Sequence, residues 1–526
     1  EAESVLDELV QNKNCRLDAI YLDGFSPRKN PALWTHSLFG QLANLSQQNT
    51  SAASFSASSE VKRNLVSANF KVSKKPGFGK KREMITAIFD SEKNTGSDHT
   101  SKKMEQKFSF SIPHQSKDKV LVIGAGLAGI LTASKLSSRG FKVDVMEANA
   151  APCEEASGNA VGLAYPKLSN VYDSSCSLHC CAFDYLTNEI KRLDIPVWGK
   201  NHLAAKGLIY LLQQNKTRMH AGTPQNLNIP EEHIRYLNQQ QTSKILATDI
   251  PGDSLLFTRA MALSPKLMAN HYLSASCHNS NIKFYFNTFV EKLIQHQHHW
   301  QAVSQSSKWD NYQAVFLCCG HQLHHLLPQY SIYTDQVKGQ IDRLDYQQQL
   351  PEYPICGNGY AIPCDPAEHS MVNENCSLWV GASFHRNTAD QITTTTDTSK
   401  NIARACQLLN ASEKEFQWTG SRASTRLTSS DRLPLVGQVH YQPTKQIAFL
   451  QDNKMQTSEN TPGLFINTAF GSHGLTLIPL LSEYVVRLFN SELMPINRLL
   501  MNALDAERFA KRAEKHSRRQ LVPVLK

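Results

Sequence analysis

The sequence predicts an α/β protein: a Rossmann-type dinucleotide-binding domain with an inserted, largely antiparallel unit, preceded by a smaller α/β piece. Three observations carry that expectation. Residues 119–129 read KVLVIGAGLAG, a short apolar strand running into a glycine-rich turn and then a helix. Further apolar strands at 142, 314 and 464 lie far apart, so the sheet is assembled from both ends of the domain. Between them, 336–343 (QVKGQIDR) and 378–384 (LWVGASF) read as strands of a second sheet.

Gly124, Gly126 and Gly129 form G-x-G-x-x-G. The first glycine permits the tight turn. The second lets a pyrophosphate approach the backbone, and the third lets the helix pack on the strand. Residues 127–139 keep helical spacing, and Gly140 suits the stop. The next strand, 141–146, ends at Glu147, 18 residues beyond Gly129, where a carboxylate binds a ribose hydroxyl. Such a motif alone is weak, and an ordinary βαβ turn without a ligand is the alternative. Its place between strand and helix, with the acid following, favours a dinucleotide. This stretch does not choose between NAD and FAD.

The remaining elements follow in order. Residues 17–25 give a strand ending at Asp23, then a loop and a helix over about 33–45. Residues 52–57 and 84–89 read as strands around a helix near 60–67. Residues 91–117 are polar with little periodicity and read as a linker. The large domain begins near Asp118. Residues 171–195 read as a helix, and 282–294 alternate as strands do. His296, His298 and His299 follow at a hairpin tip, without the cysteine or carboxylate that would complete a metal set. Strand 464–469 runs into Phe470-Gly471-Ser472-His473-Gly474 and a long apolar helix, 475–489.

Composition excludes several classes. Over 526 residues, 41% apolar and 19% charged content is that of a globular protein. No window holds 18 uninterrupted apolar residues, so no membrane span is predicted. The opening Glu-Ala-Glu-Ser is neither a signal peptide nor a Met start, which reads as a fragment or trimmed chain. The 12 cysteines, including the adjacent pairs Cys180-Cys181 and Cys318-Cys319, lack C-x-x-C spacing and read as reduced thiols of a cytoplasmic protein. The net charge of +9 modestly favours a polyanion such as RNA. Lys71, Lys74, Lys75, Lys80, Lys81 and Arg82 form one basic cluster, and Arg508, Lys511, Arg512, Lys515, Arg518 and Arg519 another. Solvated faces are the commoner meaning of such runs.

Three segments extend the opening motif: Cys318-Cys319-Gly320, Arg432-Leu433-Pro434-Leu435-Val436-Gly437 and Gly471-Ser472-His473-Gly474-Leu475-Thr476. Together they resemble FAD-dependent amine oxidases of the glycine oxidase and D-amino-acid oxidase type. The late glycine turn, absent from simple NAD dehydrogenases, selects FAD. Asp23-Gly24-Phe25-Ser26-Pro27 with Asn30-Pro31 and Trp34, then Gly77 to Met84, Ser157-Gly158-Asn159 and Tyr165-Pro166, extend the likeness over nearly the whole chain. They resemble the bacterial bifunctional family that makes 5-methylaminomethyl-2-thiouridine at the tRNA wobble position.

That resemblance implies a Rossmann-type FAD-binding domain with an inserted, largely antiparallel substrate domain, preceded by a partial α/β methyltransferase-like domain. In the family the FAD domain removes the carboxymethyl group from 5-carboxymethylaminomethyluridine. The other domain then methylates the exposed amine with S-adenosylmethionine. The implied FAD contacts are Gly124, Gly126, Gly129, Glu147, Gly158, Asn159, Val290, Gly320, Gly471, Ser472, His473 and Gly474. A substrate carboxylate calls for an arginine, and Arg426 and Arg386 are the candidates. Tyr165 joins them in the oxidative site, with Lys167 beside it, and Asp23 matches the methylation site. The expected partner is tRNA, the expected state a cytoplasmic monomer, and no metal is expected. A small-molecule amino-acid or sarcosine-type oxidase is the alternative, with the same flavin motifs. Only 22 residues precede Asp23, so the S-adenosylmethionine site is expected to be largely missing and only the oxidative step to proceed.

The expected boundaries are 1–90 for the methyltransferase-like part, 91–117 for the linker, 118–500 for the FAD domain and 501–526 for a basic C-terminal helix or tail. Within the FAD domain, 118–170, 255–330 and 420–490 are expected to bind FAD, and 171–254 and 331–419 to form the substrate part.

Overall fold

The computed structural model describes residues 2–11, 16–23, 27–77, 83–90, 119–197, 207–212, 222–275, 281–296, 299–363, 376–439 and 463–512. Two compact units emerge, 1–113 with 490–493, and 114–489 with 494–526. Among the described helices, none is long and apolar enough to cross a membrane.

The first unit holds a four-stranded sheet in the order Leu17–Tyr21, Ser46–Ser54, Glu83–Phe89, Phe70–Pro76. Its first pair is parallel and the others antiparallel. Helices His36–Leu45 and Ser59–Ser67 start at Thr35 and Ser58, whose hydroxyls accept from the backbone N–H groups of Leu38 and Val61. Trp34, Phe39, Val61, Leu65 and Ile85 fill the core. The strand Phe70–Pro76 is not evident in the sequence, because it is an edge strand with few buried side chains. It carries much of the first basic cluster. Lys71 pairs with Asp90 at 2.7 Å and Lys74 with Glu83 at 2.6 Å, so part of that charge is neutralised. Lys80, Lys81, Arg82 and the linker 91–117 lie outside the described residues.

The second unit is built on a six-stranded sheet in the order Ile282–Tyr285, Lys142–Met146, Lys119–Ile123, Ala314–Leu317, Leu464–Thr468, Leu435–Gln438. All neighbours are parallel except the last pair. Helices Leu127–Ser137, Ser174–Leu193, Pro265–Ala275 and Gly474–Phe489 share one apolar core with this sheet. A three-stranded antiparallel sheet, Lys292–His296, His299–Val303 and Lys308–Tyr312, contributes Leu293, Trp300 and Tyr312 to a second core. The run 282–294 is therefore two strands in two sheets. The chain turns between them through Asn287 at φ 51°, and the Thr288 N–H donates to Glu147 O at 2.8 Å. His296 and His299 pair across the hairpin, whose tip, His298 included, lies outside the described residues. Among the described residues no His/Cys/Asp/Glu group could hold a metal.

A nine-stranded, mainly antiparallel sheet completes the second unit. Its spine is Thr334–Tyr346 paired along its length with Phe416–Ser429. Three expected boundaries move. Helix Ser174–Leu193, expected in the substrate part, buries Leu178, Ala182, Phe183, Leu186 and Ile190 in the nucleotide-binding core. Strands Ser254–Phe257 and Phe416–Ser429, largely assigned to FAD-binding segments, hydrogen-bond into the antiparallel sheet instead. Residues 501–512 are no separate tail, because Leu504, Ala506 and Phe509 are buried in the second unit's cores. Arg508 is only 3% exposed and donates to Asp431 at 2.7 and 2.9 Å and to the carbonyls of Leu433 and Pro434. It holds the Leu-Pro-Leu-Val-Gly turn rather than presenting charge to a partner. Burial would raise the Asp431 carboxyl, but Arg508 and Arg512 override it and pull it down to about 2. Eight cysteines, Cys180, Cys181, Cys318 and Cys319 among them, are free thiols.

Candidate functional site

The three motif glycines serve three different ends. Gly124 sits at φ +97°, and a Cβ there would lie 2.8 Å from Cys318 O. At Gly129 a Cβ would fall 1.8 Å from Gly124 O, so the helix rests directly on the turn. Gly126 is different: a Cβ would meet only Ser157 Oγ, at 3.3 Å, and this residue lines a cavity. Glu147 ends the second strand, 8% exposed. Its carboxylate accepts from Ala125 N at 2.6 Å and from Asn149 N and Nδ2 at 2.9 and 2.8 Å. These bonds fix the acid beside the glycine turn. A small recess next to it is lined by Gly124, Met146, Ala148, Thr288 and Val290.

The main cavity measures about 350 Å³. It begins at Gly126, Ser157 and Asn159, passes Cys318 and Gly320, and reaches the turn Gly471 to Gly474. Gly471 takes φ +57°, and its N–H donates to Leu427 O at 3.0 Å, which ties the turn to the antiparallel sheet. Arg422 clamps the near wall. It donates to Asn159 Oδ1 at 2.9 Å and to Glu155 O at 2.8 Å, and a Cβ on Gly158 would lie 2.2 Å from its Nη2. An elongated cavity with glycines at both ends and a fixed acid beside the first turn fits a dinucleotide such as FAD. Gly126, Glu147, Ser157, Asn159 and Gly320 would hold it, with Val290 at the recess.

The far end of the cavity is polar. Arg426, on Phe416–Ser429, donates from Nη1 to Ser472 Oγ at 3.3 Å, and its guanidinium carbon lies 5.5 Å from the Phe384 ring centroid. Tyr360 lines the same end, and burial pushes its hydroxyl up to about 12 although Arg426 opposes the shift. It therefore stays a hydrogen-bond donor. Tyr165 lines the cavity with its hydroxyl 3.7 Å from Cys356 Sγ and its ring against Phe257. Burial, more than any neighbour, holds that hydroxyl well above its usual range, so it is no base. The His473 ring meets the His179 ring edge-on at 4.7 Å. Burial, then Lys167 and Arg426, lowers His473 to about 3, and burial, then His473 and Lys167, lowers His179 to about 2. Both rings are neutral at working pH.

The cavity thus unites most of the expected residues, from Gly126 to Arg426. It does not include Arg386, whose side chain is 69% exposed and pairs with Asp335 at 3.5 Å. The strand at His385–Arg386 lies on the sheet edge, which turns that guanidinium to solvent. Asp23 is exposed and belongs to the first unit. Tyr360, Phe384, His179 and Arg422 escaped the sequence reading, since no spacing ties them to Arg426 or to the glycine motif.

Comparison with known proteins agrees with this arrangement. A family described as "FAD dependent oxidoreductase" matches residues 119–488, and one described as "S-adenosyl-L-methionine-dependent methyltransferase" matches residues 3–90. The tRNA 5-methylaminomethyl-2-thiouridine biosynthesis bifunctional protein MnmC of Pseudomonas syringae pv. syringae (strain B728a) is 28% identical over 521 residues, 96% of this chain and 75% of that protein. Its counterpart in Hahella chejuensis (strain KCTC 2396) is 28% identical over 511 residues, 94% of this chain and 74% of that protein. Among solved structures, glycine oxidase from Geobacillus kaustophilus has the same fold, with TM-score 0.58 and 17% identity over 74% of this chain and 99% of that one. Iminodiacetate oxidase from Chelativorans sp. BNC1 gives TM-score 0.55 and 16% identity over 72% and 97%. With the first of these families matched over more than half of this chain, and with the glycine cradle and the late glycine turn on one cavity, the chain belongs to the FAD-dependent oxidoreductases.

Proposed function

We propose that this protein modifies the wobble uridine of tRNA. It oxidatively removes the carboxymethyl group of 5-carboxymethylaminomethyl-(2-thio)uridine and leaves the 5-aminomethyl form. Residues 3–90 belong to the part that then methylates the amine from S-adenosylmethionine. The observation that carries this reading is the order of two family matches on one chain, methyltransferase before FAD oxidoreductase. Proteins named as bifunctional in tRNA 5-methylaminomethyl-2-thiouridine biosynthesis align with it over 96% of its length.

The reacting group is a secondary amine between two methylenes, one of which bears a carboxylate. Arg426 grips that carboxylate with parallel hydrogen bonds. Tyr360, kept protonated by burial, is a second donor at the same end of the cavity. The amine must lose its proton before its methylene is oxidised. Apolar walls and the cations Arg426 and Lys167 disfavour the ammonium form, as they disfavour protonated His473. FAD, when bound, supplies a two-electron acceptor for the hydride of the methylene beside the carboxylate. The first turn of helix Gly474–Phe489 borders the cavity, and the positive end of the helix dipole favours negative charge there. The C=N bond so formed in the substrate adds water and separates into the primary amine and glyoxylate.

Anaerobic bleaching of the flavin tests this. tRNA carrying 5-carboxymethylaminomethyl-2-thiouridine should bleach it and release glyoxylate, while glycine and sarcosine bleach it far more slowly. Bleaching by sarcosine or glycine but not by the tRNA would establish a small-molecule oxidase instead.

A further inference from the structure

Phe384 stands out at the far end of the cavity. It lines the cavity yet is 56% exposed. Single exposed apolar residues are ordinary on a protein surface. Two features separate this one. The Arg426 guanidinium lies 5.5 Å from its ring centroid, so the ring borders the proposed carboxylate site while much of it stays open. The backbone that carries it is also tied down. Ala382 and Ser383 are each 2% exposed. The Ser383 N–H donates to Gln340 O at 3.1 Å, the Gln340 N–H donates to Ser383 Oγ at 3.1 Å, and Arg404 Nη1 donates to Ala382 O at 2.9 Å. A flat apolar surface is thus presented at the cavity from a fixed support.

We propose that Phe384 is the stacking platform for the pyrimidine base of the substrate nucleotide, and so a specificity-determining residue. This rests on the wobble-uridine reading above. Four bonds separate the substrate carboxyl carbon from the ring carbon of the uracil, a span of about 5 Å when extended. A carboxylate on Arg426 therefore brings the base within reach of the Phe384 face. Enzymes that act on a nucleotide within RNA take its base out of the stack and hold it against an aromatic side chain. A small amino acid ends before that position and gains nothing from the ring.

The test uses the FAD-loaded full chain and an anticodon stem–loop carrying the modified uridine, beside N-ethylglycine as a base-free secondary amine. Variants are Phe384→Ala, Phe384→Leu and Phe384→Trp, each checked for flavin content and thermal midpoint. Dissociation constants come from fluorescence anisotropy and KM values from anaerobic flavin reduction. Losing a stacked base raises Kd and KM for the stem–loop by roughly 5- to 100-fold in the Ala and Leu variants. Their loss with N-ethylglycine should be at least five-fold smaller, and Phe384→Trp should return to within about three-fold of the parent. Equal losses on both substrates would overturn the proposal, because the ring would then be supporting Arg426. Tight stem–loop binding by Phe384→Ala, with the parent protein active on it, would overturn it as well. A parent protein that neither binds nor oxidises the stem–loop would instead overturn the wobble-uridine reading beneath it.

Discussion

His179 and His473 make the fold sensitive to mild acid. Burial, reinforced by Lys167, holds both rings neutral, His473 down to about 3 and His179 down to about 2. In the unfolded chain each titrates near 6.5. Below that value the unfolded state binds protons that the native state refuses, so stability falls as pH falls. The slope is about 1.4 kcal/mol per pH unit for each histidine until the folded value is reached. Between pH 8 and pH 5 this amounts to about 2 kcal/mol for each ring, and about 4 kcal/mol for the pair. Carboxylates do not share this window. Asp431 and Glu483 are pulled to about 2 by their cationic partners against the effect of burial, and their contribution is lost only below about pH 4.5. The assay is the urea midpoint of the FAD-saturated protein, read by flavin fluorescence at pH 8, 7, 6 and 5. His324 is also lowered by burial, so the informative quantity is the difference between parent and His179→Gln. That variant should lose about 2 kcal/mol less than the parent across the range. A parent midpoint that is flat from pH 7 to 5, or an unchanged slope in His179→Gln, would refute the reasoning.

Three further outcomes are expected. Gly126→Val should fold but bind no FAD, Glu147→Ala should bind it roughly 10- to 100-fold more weakly, and Gly129→Ala should fail to fold, since its Cβ would lie 1.8 Å from Gly124 O; flavin absorbance and circular dichroism separate the three. Arg426→Lys should raise KM for the modified tRNA roughly 10- to 100-fold by losing the two-pronged grip, whereas Arg386→Ala should change it by less than about two-fold in steady-state kinetics. Arg508→Ala should destabilise the second unit by about 3–5 kcal/mol, seen as a lower urea midpoint, because it leaves buried carbonyls and much of the Asp431 charge without their donor.

The nucleotide half of the cavity was legible in the sequence because its requirements are local. A strand, three glycines, a helix and an acid follow one another within residues 119–147, and each imposes its own demand on neighbouring backbone. The late turn at Gly471 to Gly474 is legible for the same reason. Charge runs are less informative, since a guanidinium reads alike whether it faces water or a carboxylate. Arg508 sits in a basic stretch yet is buried against Asp431, and Lys71 and Lys74 are paired across or beside their sheet.

The other half of the cavity was decided by the tertiary structure. Arg426 and Arg386 both stand as candidates in the sequence, but the pairing of Thr334–Tyr346 with Phe416–Ser429 carries one into the cavity wall and leaves the other on an exposed edge. Tyr360 and Phe384 join Arg426 only because the strands Gly359–Pro363 and Cys376–Gly381 pair within that same sheet. His179 meets His473 because helix Ser174–Leu193 packs in the nucleotide-binding core. By itself the sequence determined the dinucleotide turn, the acid that follows it and the α/β class, all products of short-range backbone geometry. The place of Arg426 in the cavity wall, the neutral histidine pair and the open aromatic face arise from contacts between residues tens to hundreds of positions apart. Hydrogen-bond register and core packing choose those contacts, and neither leaves a periodic trace in the chain.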